Sequence, residues 1–242
     1  MRCWLAIVLF CVGCNTHVFS PPAGNFPIES AATIGANRNS VGVEASVAGA
    51  VFGPALAHYR VTYRRGLGEQ LELSAAPTIL VVTDRSRGDS HAGIYALRSQ
   101  LKYAPVKYVS PALGLGVGAS AGGAFVSPDL GVTIAGENPY LIPFATVRGF
   151  VSAPIAARRV HFTTADGEGP GDDPDEERDS YSMRPHLSYG YQLSVGLRVP
   201  LYHEVAAAIR PALACAVGGS FLYDRTNQGG YLGGGCGLDV GF

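Results

Sequence analysis

The sequence predicts an all-β protein whose strands close into an antiparallel transmembrane β-barrel of about ten strands, with eight or twelve compatible with most of the same pattern. Three observations predict it: long stretches in which apolar and polar residues alternate, a composition suited to strands and turns, and an N-terminus that reads as an export signal. Charged residues make up 15% of the 242-residue chain and glycine occurs 32 times. A typical soluble domain carries roughly 25% charge and about 7% glycine. After residue 14 no stretch approaches the roughly 20 apolar residues that a membrane helix needs. A chain of this kind crosses a membrane as strands.

Residues 1–14 place one positive charge, Arg2, ahead of an apolar run too short to span a bilayer, the pattern of a secretory signal peptide. Val12-Gly13-Cys14 resembles a bacterial lipoprotein signal, in which a small residue precedes an acylated cysteine, although Cys11 stands where that family usually carries Leu. The resemblance implies lipidation of Cys14, with ordinary signal cleavage as the alternative. Either way the mature chain leaves the cytoplasm. Residues 15–39 are rich in Pro, Gly, Ala, Ser and Asn without sustained periodicity. They read as a flexible periplasmic tether, or as a disordered tail, ahead of a barrel domain over 40–242.

Within that domain the clearest strand runs from His186 to Val199. Leu187, Tyr189, Tyr191, Leu193, Val195, Leu197 and Val199 alternate there with small or polar residues. In a strand, alternation sends successive side chains to opposite faces. Its length suits the roughly 9–11 residues of a membrane-crossing strand. The same alternation recurs from Ser40 onward and predicts strands at 40–52, 55–65, 69–83, 91–104, 108–121, 125–135, 139–162, 181–200, 204–221 and 230–242. The stretch 139–162 is over-long and has a potential break at Pro154. An even count puts both barrel ends on one side. Connections 66–68, 105–107, 136–138 and 201–203 are then short and periplasmic, and 84–90, 163–180 and 222–229 are longer and external, as in outer-membrane barrels. Pro111, Pro143 and Pro211 fall inside these strands and each removes a ladder donor. They favour the rival architecture, a lipid-tethered soluble β-sandwich, unless bulges or strand ends absorb them.

Gly237, Val240 and the final Phe242 resemble the C-terminal targeting signal of bacterial outer-membrane β-barrel proteins, although Gly235 stands where that motif starts with a polar residue. The resemblance implies residence in the outer membrane of a Gram-negative bacterium, surrounded by its lipid. It also implies assembly by the barrel-assembly machinery through the C-terminal strand.

A closed barrel of this pattern would turn Glu44, Arg60, Arg64, Glu72, Arg98, Lys102, Arg148, Arg198, Arg210 and Asp239 into its lumen. Such charges must pair or meet water, giving either a salt-bridged plug or a small anion-leaning pore. Tyr59, Tyr63, Tyr103, Tyr108, Tyr202 and Tyr231 are placed for interfacial girdles. Cys215 and Cys236 lie on the apolar faces of the last two strands. A hairpin folded about Arg225 and Thr226 sets them opposite each other, so a cross-strand disulfide is expected in an oxidising compartment, with two free lipid-facing thiols as the alternative.

Other candidates have plainer readings. Residues 163–180 hold eight acidic side chains and one Arg, which makes a solvated external loop without calcium-loop spacing. Gly114-Leu115-Gly116-Val117-Gly118 has period two and no following helix, so it is a strand with a small-residue face and not a nucleotide loop. His186 and Ser188 share a face, similar to the His-x-Ser of some lipid A deacylases, but Tyr189 departs from that family's Asn. The expected role is a structural or interaction barrel without catalysis. A narrow anion-leaning pore is the alternative, and a lipid-modifying outer-membrane enzyme is third. No cofactor, metal or nucleic-acid partner is implied, and the oligomeric state is left open.

Overall fold

The structure is a computed structural model that describes residues 20–25, 27–49, 55–83, 90–136, 138–163, 180–202, 208–224 and 228–242. Residues 1–14, read above as an export signal with Cys14, and most of the acidic run 163–180 lie outside the described residues. In chain order the strands are β1 (Asn39–Gly49), β2 (Ala55–Gly66), β3 (Leu71–Thr83), β4 (Ser90–Tyr103), β5 (Val109–Ser120) and β6 (Gly123–Ala135). They continue with β7 (Ile142–Ala157), β8 (Val160–Thr163), β9 (Ser180–Met183), β10 (Ser188–Pro200), β11 (Arg210–Tyr223) and β12 (Gln228–Gly241).

Ten of these close into one antiparallel barrel, with neighbours consecutive in sequence except that β7 pairs with β10 and β12 pairs with β1. Closure removes every open edge, which membrane burial requires because lipid offers no hydrogen-bonding partner. The last residue finishes the seam: Phe242 and Asn39 exchange both backbone hydrogen bonds, at 2.8 and 2.9 Å. A two-sheet sandwich is therefore excluded.

Both barrel termini lie at one mouth, the terminal mouth. The opposite, distal mouth carries the β1–β2, β3–β4, β5–β6, β7–β10 and β11–β12 connections. The expected length asymmetry between mouths rests on 158–187 alone, since the other distal connections are no longer than the terminal ones. The predicted strands 139–162 and 181–200 are each divided. Their inner parts extend only into the β8–β9 hairpin, a separate two-stranded sheet within that connection. Pro154 does not break β7. A register shift at Ala124/Phe125 absorbs it, leaving Phe125 opposite Pro154 and Ala124 opposite Ala156.

The prolines that argued for a sandwich sit at the terminal mouth. Pro111 lies just beyond the final β4–β5 pair, Lys102 with Ala112, and Pro143 lies just beyond the final β6–β7 pair. Pro211 lies just beyond the β10–β11 pair of Pro200 with Ala212. Two mid-strand prolines meet the same constraint differently. The β2–β3 ladder is interrupted where Pro77 and Ala76 face Val61 and Thr62, and the β6–β7 ladder is interrupted at Ser127 and Pro128. A missing donor costs little where its partner strand has already parted.

The larger departure concerns the stretch read as a tether. From Ser20 to about Ala32 the described chain lies inside the barrel, and by Asn37 it is exposed at the terminal mouth. Ser20, Asn25 and Ser30 are buried, and Ile28 and Ala31 join Ile142, Phe144, Ala135 and Ala216 in an apolar cluster. At the terminal mouth the Asn37 N–H bonds the Gly66 carbonyl at 3.1 Å and the Gly66 N–H bonds the Arg38 carbonyl at 2.9 Å, which turns the segment into β1. Extended, proline-containing chain without its own ladder must find backbone partners elsewhere. Here the barrel wall supplies them.

The filled lumen as the candidate functional site

Alternation divides the wall into two surfaces. Val43, Ile134, Val147, Val195 and Val217 point outward and stay exposed, whereas Arg60, Glu72, Arg98, Gln100, Lys102, Asp129, Arg148 and Gln192 point inward and are buried. That reverses the usual arrangement of a soluble protein. It fits a wall whose solvent is hydrocarbon, with an even number of closed strands. This is a barrel of the outer-membrane type.

Wall hydroxyls and amides hold the inner segment through its main-chain carbonyls. Ser188 donates to the Ser20 carbonyl, Ser152 to Pro21 at 2.6 Å, Thr78 to Ala23 at 3.1 Å and Gln192 to Gly24 at 2.7 Å. Ser194 reaches the Pro27 carbonyl at 2.6 Å, and Lys102 reaches those of Ser30 and Ala32 at 3.4 and 3.1 Å. Nearer the terminal mouth, Glu72 accepts the Ile34 N–H at 2.9 Å. Small wall residues make the room. A side chain at Gly116 would occupy the place of Ala23, and one at Gly114 would overlap Arg98 and Asp129. The glycine run of β5 thus has a packing reason.

A band of six cations and five carboxylates surrounds the segment in the terminal half of the lumen. Arg60 makes a two-pronged bond to Glu44, its directly opposed neighbour on β1, and Lys102 pairs with the opposed Glu72 at 3.0 Å. Asp239 receives both Arg64 and Arg198, the latter at 3.0 Å. Arg98 reaches across Gly114 to grip both Asp129 oxygens at 2.7 Å, and Arg148 approaches Asp129 at 3.5 Å. Glu29, the segment's own carboxylate, enters this band 2.9 Å from Arg148 and 3.9 Å from Arg98, with Gln100 donating to it at 2.9 Å. Charges this buried are tolerable only when paired and hydrogen-bonded. Beside Glu29, Arg60 and Arg64 a cavity of about 50 Å³ remains, room for a few waters.

No family model and no curated protein matches the sequence. Solved structures similar in fold include the N-terminal β-barrel domain of Pseudomonas aeruginosa OprF, at 12% identity and a TM-score of 0.30, with 86% of this chain covering 99% of that one. Another is the outer membrane protease OmpT from Escherichia coli, at 12% identity and a TM-score of 0.38, with coverage of 85% and 95%. A third is the siderophore receptor PirA from Pseudomonas aeruginosa, at 10% identity and a TM-score of 0.30, where 81% of this chain spans 32% of the receptor. The likeness is one of barrel architecture.

The structure brings nine of the expected lumen charges into the band or its edge. Arg210 keeps the lumen parity but lies at the terminal rim, its guanidinium 5.8 Å from the centre of the Tyr202 ring. Asp129 and Glu29 were not among the expected residues. Asp129 was legible from the alternation Phe125, Ser127, Asp129, Gly131 and Thr133, whereas Glu29 sits in a stretch without periodicity. Tyr63, Tyr103 and Tyr108 face outward near the terminal mouth. Tyr231 instead packs inward against the apolar cluster, and Tyr59 is mid-wall, opposite Ala45. At the distal rim, Tyr189 stacks on Tyr223 and Tyr191 stacks on Phe221. His186 is exposed, whereas Ser188 is buried and donates its hydroxyl to the Ser20 carbonyl.

Cys215 and Cys236 are register partners on β11 and β12 and are disulfide-bonded, their Cα atoms 4.0 Å apart. Closing a loop with a sequence separation of 21 restricts the unfolded chain by about 3 kcal/mol. Reduction should lower the unfolding midpoint accordingly without opening the barrel. Unfolding in urea with and without a thiol reductant measures it, and an unchanged midpoint would refute the linkage.

Proposed function

We propose that this protein is a structural or interaction barrel of a Gram-negative outer membrane, closed by its own N-terminal segment and without transport or catalysis of its own. The supporting observation is the salt-bridged band around Glu29, beside which the described residues leave a cavity of about 50 Å³. Work at the surface then falls to the distal connection between β7 and β10, whose sequence holds the acidic run 163–180. Engagement of Ser188 with the segment supports leaving the lipid-modifying reading aside.

The intact protein is expected to fractionate with outer membranes, to shift on a gel with heating, and to stay silent in a planar bilayer. Release in soluble form would end the membrane reading, and steady conductance would end the structural one. One observation favours the narrow anion-leaning pore as a second reading. The segment is gripped largely through backbone carbonyls that water can also satisfy, and the wall alone carries more cations than carboxylates.

A further inference from the structure

The charges around the inner segment do not balance. Among the described residues the band sets six cations against five carboxylates, and a net charge held in a low-dielectric interior is costly. Loss of a proton does not relieve it. Five of the cations are guanidinium groups, which stay charged in proteins. The sixth, Lys102, sets its ammonium against Glu72 at 3.0 Å and the carbonyls of Ser30 and Ala32 at 3.4 and 3.1 Å, enough to use its three donors.

Five of the cations and four of the carboxylates line the cavity of about 50 Å³, so the whole excess faces it. The carboxylates are already engaged. Glu44 takes Arg60 with both oxygens, and Glu29 divides its two between Arg148 and Gln100, each at 2.9 Å. Glu72 divides its two between Lys102 and the Ile34 N–H. One Asp239 oxygen receives Ser40 and Arg64, and the other receives Arg198. What remains beside the cavity is donors. The Arg64 Nε is buried with no hydrogen-bond partner among the described residues. Thr62 and Ser74, each with a hydroxyl, line the same cavity, and Ser74 is the register partner of Arg64.

We infer that this cavity binds one small monovalent anion of the size of chloride, which completes the charge balance of the band. One negative charge cancels the excess, whereas a divalent oxyanion would reverse it. The volume admits a halide and is too small for gluconate. Arg64 lies two residues before the end of β2, so its side of the cavity is near the terminal mouth. Occupancy requires no conduction through the lumen.

The test is urea unfolding of the full-length folded barrel in detergent at constant ionic strength, with sodium chloride replacing sodium gluconate stepwise. The midpoint is expected to rise with chloride and to level off as one site fills. Ser74→Asp sets a carboxylate opposite Arg64, so it should raise the midpoint in gluconate and abolish the chloride response. Ser74→Asn, of the same shape and uncharged, should keep the response. Where Ser74→Asp does not give a heat-modifiable barrel, Arg64→Met removes the excess from the other side and should likewise lose the response. A wild-type midpoint indifferent to chloride overturns the inference, since water alone then fills the cavity. An equal response in the wild type, Ser74→Asn and the charge-balanced variant also overturns it, because a general salt effect needs no site.

Discussion

Deleting residues 20–34 is expected to turn a silent barrel into one that conducts anions in preference to cations. The wall keeps Arg60, Arg64, Arg98, Lys102, Arg148 and Arg198 against Glu44, Glu72, Asp129 and Asp239, so the emptied lumen has an excess of two positive charges where Glu29 had offset one. Barrels of about ten strands sit near the size at which side chains alone stop filling the interior. Here the missing volume is main chain and not side chain, and wall glycines cannot expand to replace it. Reversal potential in a salt gradient across a planar bilayer reads the preference directly. Gly116→Leu reaches the same state with the full chain, because its side chain competes for the place of Ala23. Silence of both variants as folded, heat-modifiable barrels would show that the wall collapses on itself and that the segment is not what closes it.

Asp129→Ala should be the most damaging single substitution in the lumen. It strips Arg98 of two 2.7 Å bonds and Arg148 of its second carboxylate, in surroundings where both arginine side chains are 5% exposed. Removing one partner of a buried pair typically costs about 3–5 kcal/mol, whereas replacing both by apolar groups is often near neutral. The barrel should therefore lose about that much stability in urea, and Asp129→Ala combined with Arg98→Met should regain most of it, Arg148 keeping Glu29 at 2.9 Å. Equal losses in the single and double variants would show that the cost lies in packing and not in charge.

The strands were legible because lipid outside and polar groups inside impose period two on every crossing. Leu193 and Gln192, or Leu101 and Lys102, could not exchange faces without burying a polar amide or a charge in hydrocarbon. The cysteine pairing was legible for the same reason, since register follows once the β11–β12 hairpin is placed. Connection lengths were less so, because turn residues mark where a strand stops and not how far the ladder continues. The inner segment was invisible to this logic. Its carbonyls are bound by Ser152, Ser188, Thr78 and Gln192, and a carbonyl is common to every residue type. Glu29 meets the band with its side chain, and one carboxylate in a Pro- and Ala-rich stretch carries no period. Proline positions misled for a related physical reason: what matters is whether the neighbouring strand still pairs there, as at Pro77 and Pro128.

The seam between Asn39 and Phe242 also sets an order of events during biogenesis. Every other wall contact joins strands made close together in time, but β1 and β12 lie at opposite ends of the barrel sequence, so their pairing pays the largest loop-closure entropy and comes last. The inner segment is continuous with β1 and reaches deep into the lumen at Ser20, and a shut ring offers it no lateral way in. The sheet must curl around a strap already laid along its concave side, with Arg148 and Glu29 meeting before the cylinder is complete. Phe242, through its pairing with Asn39, thus locks the first described residues in place.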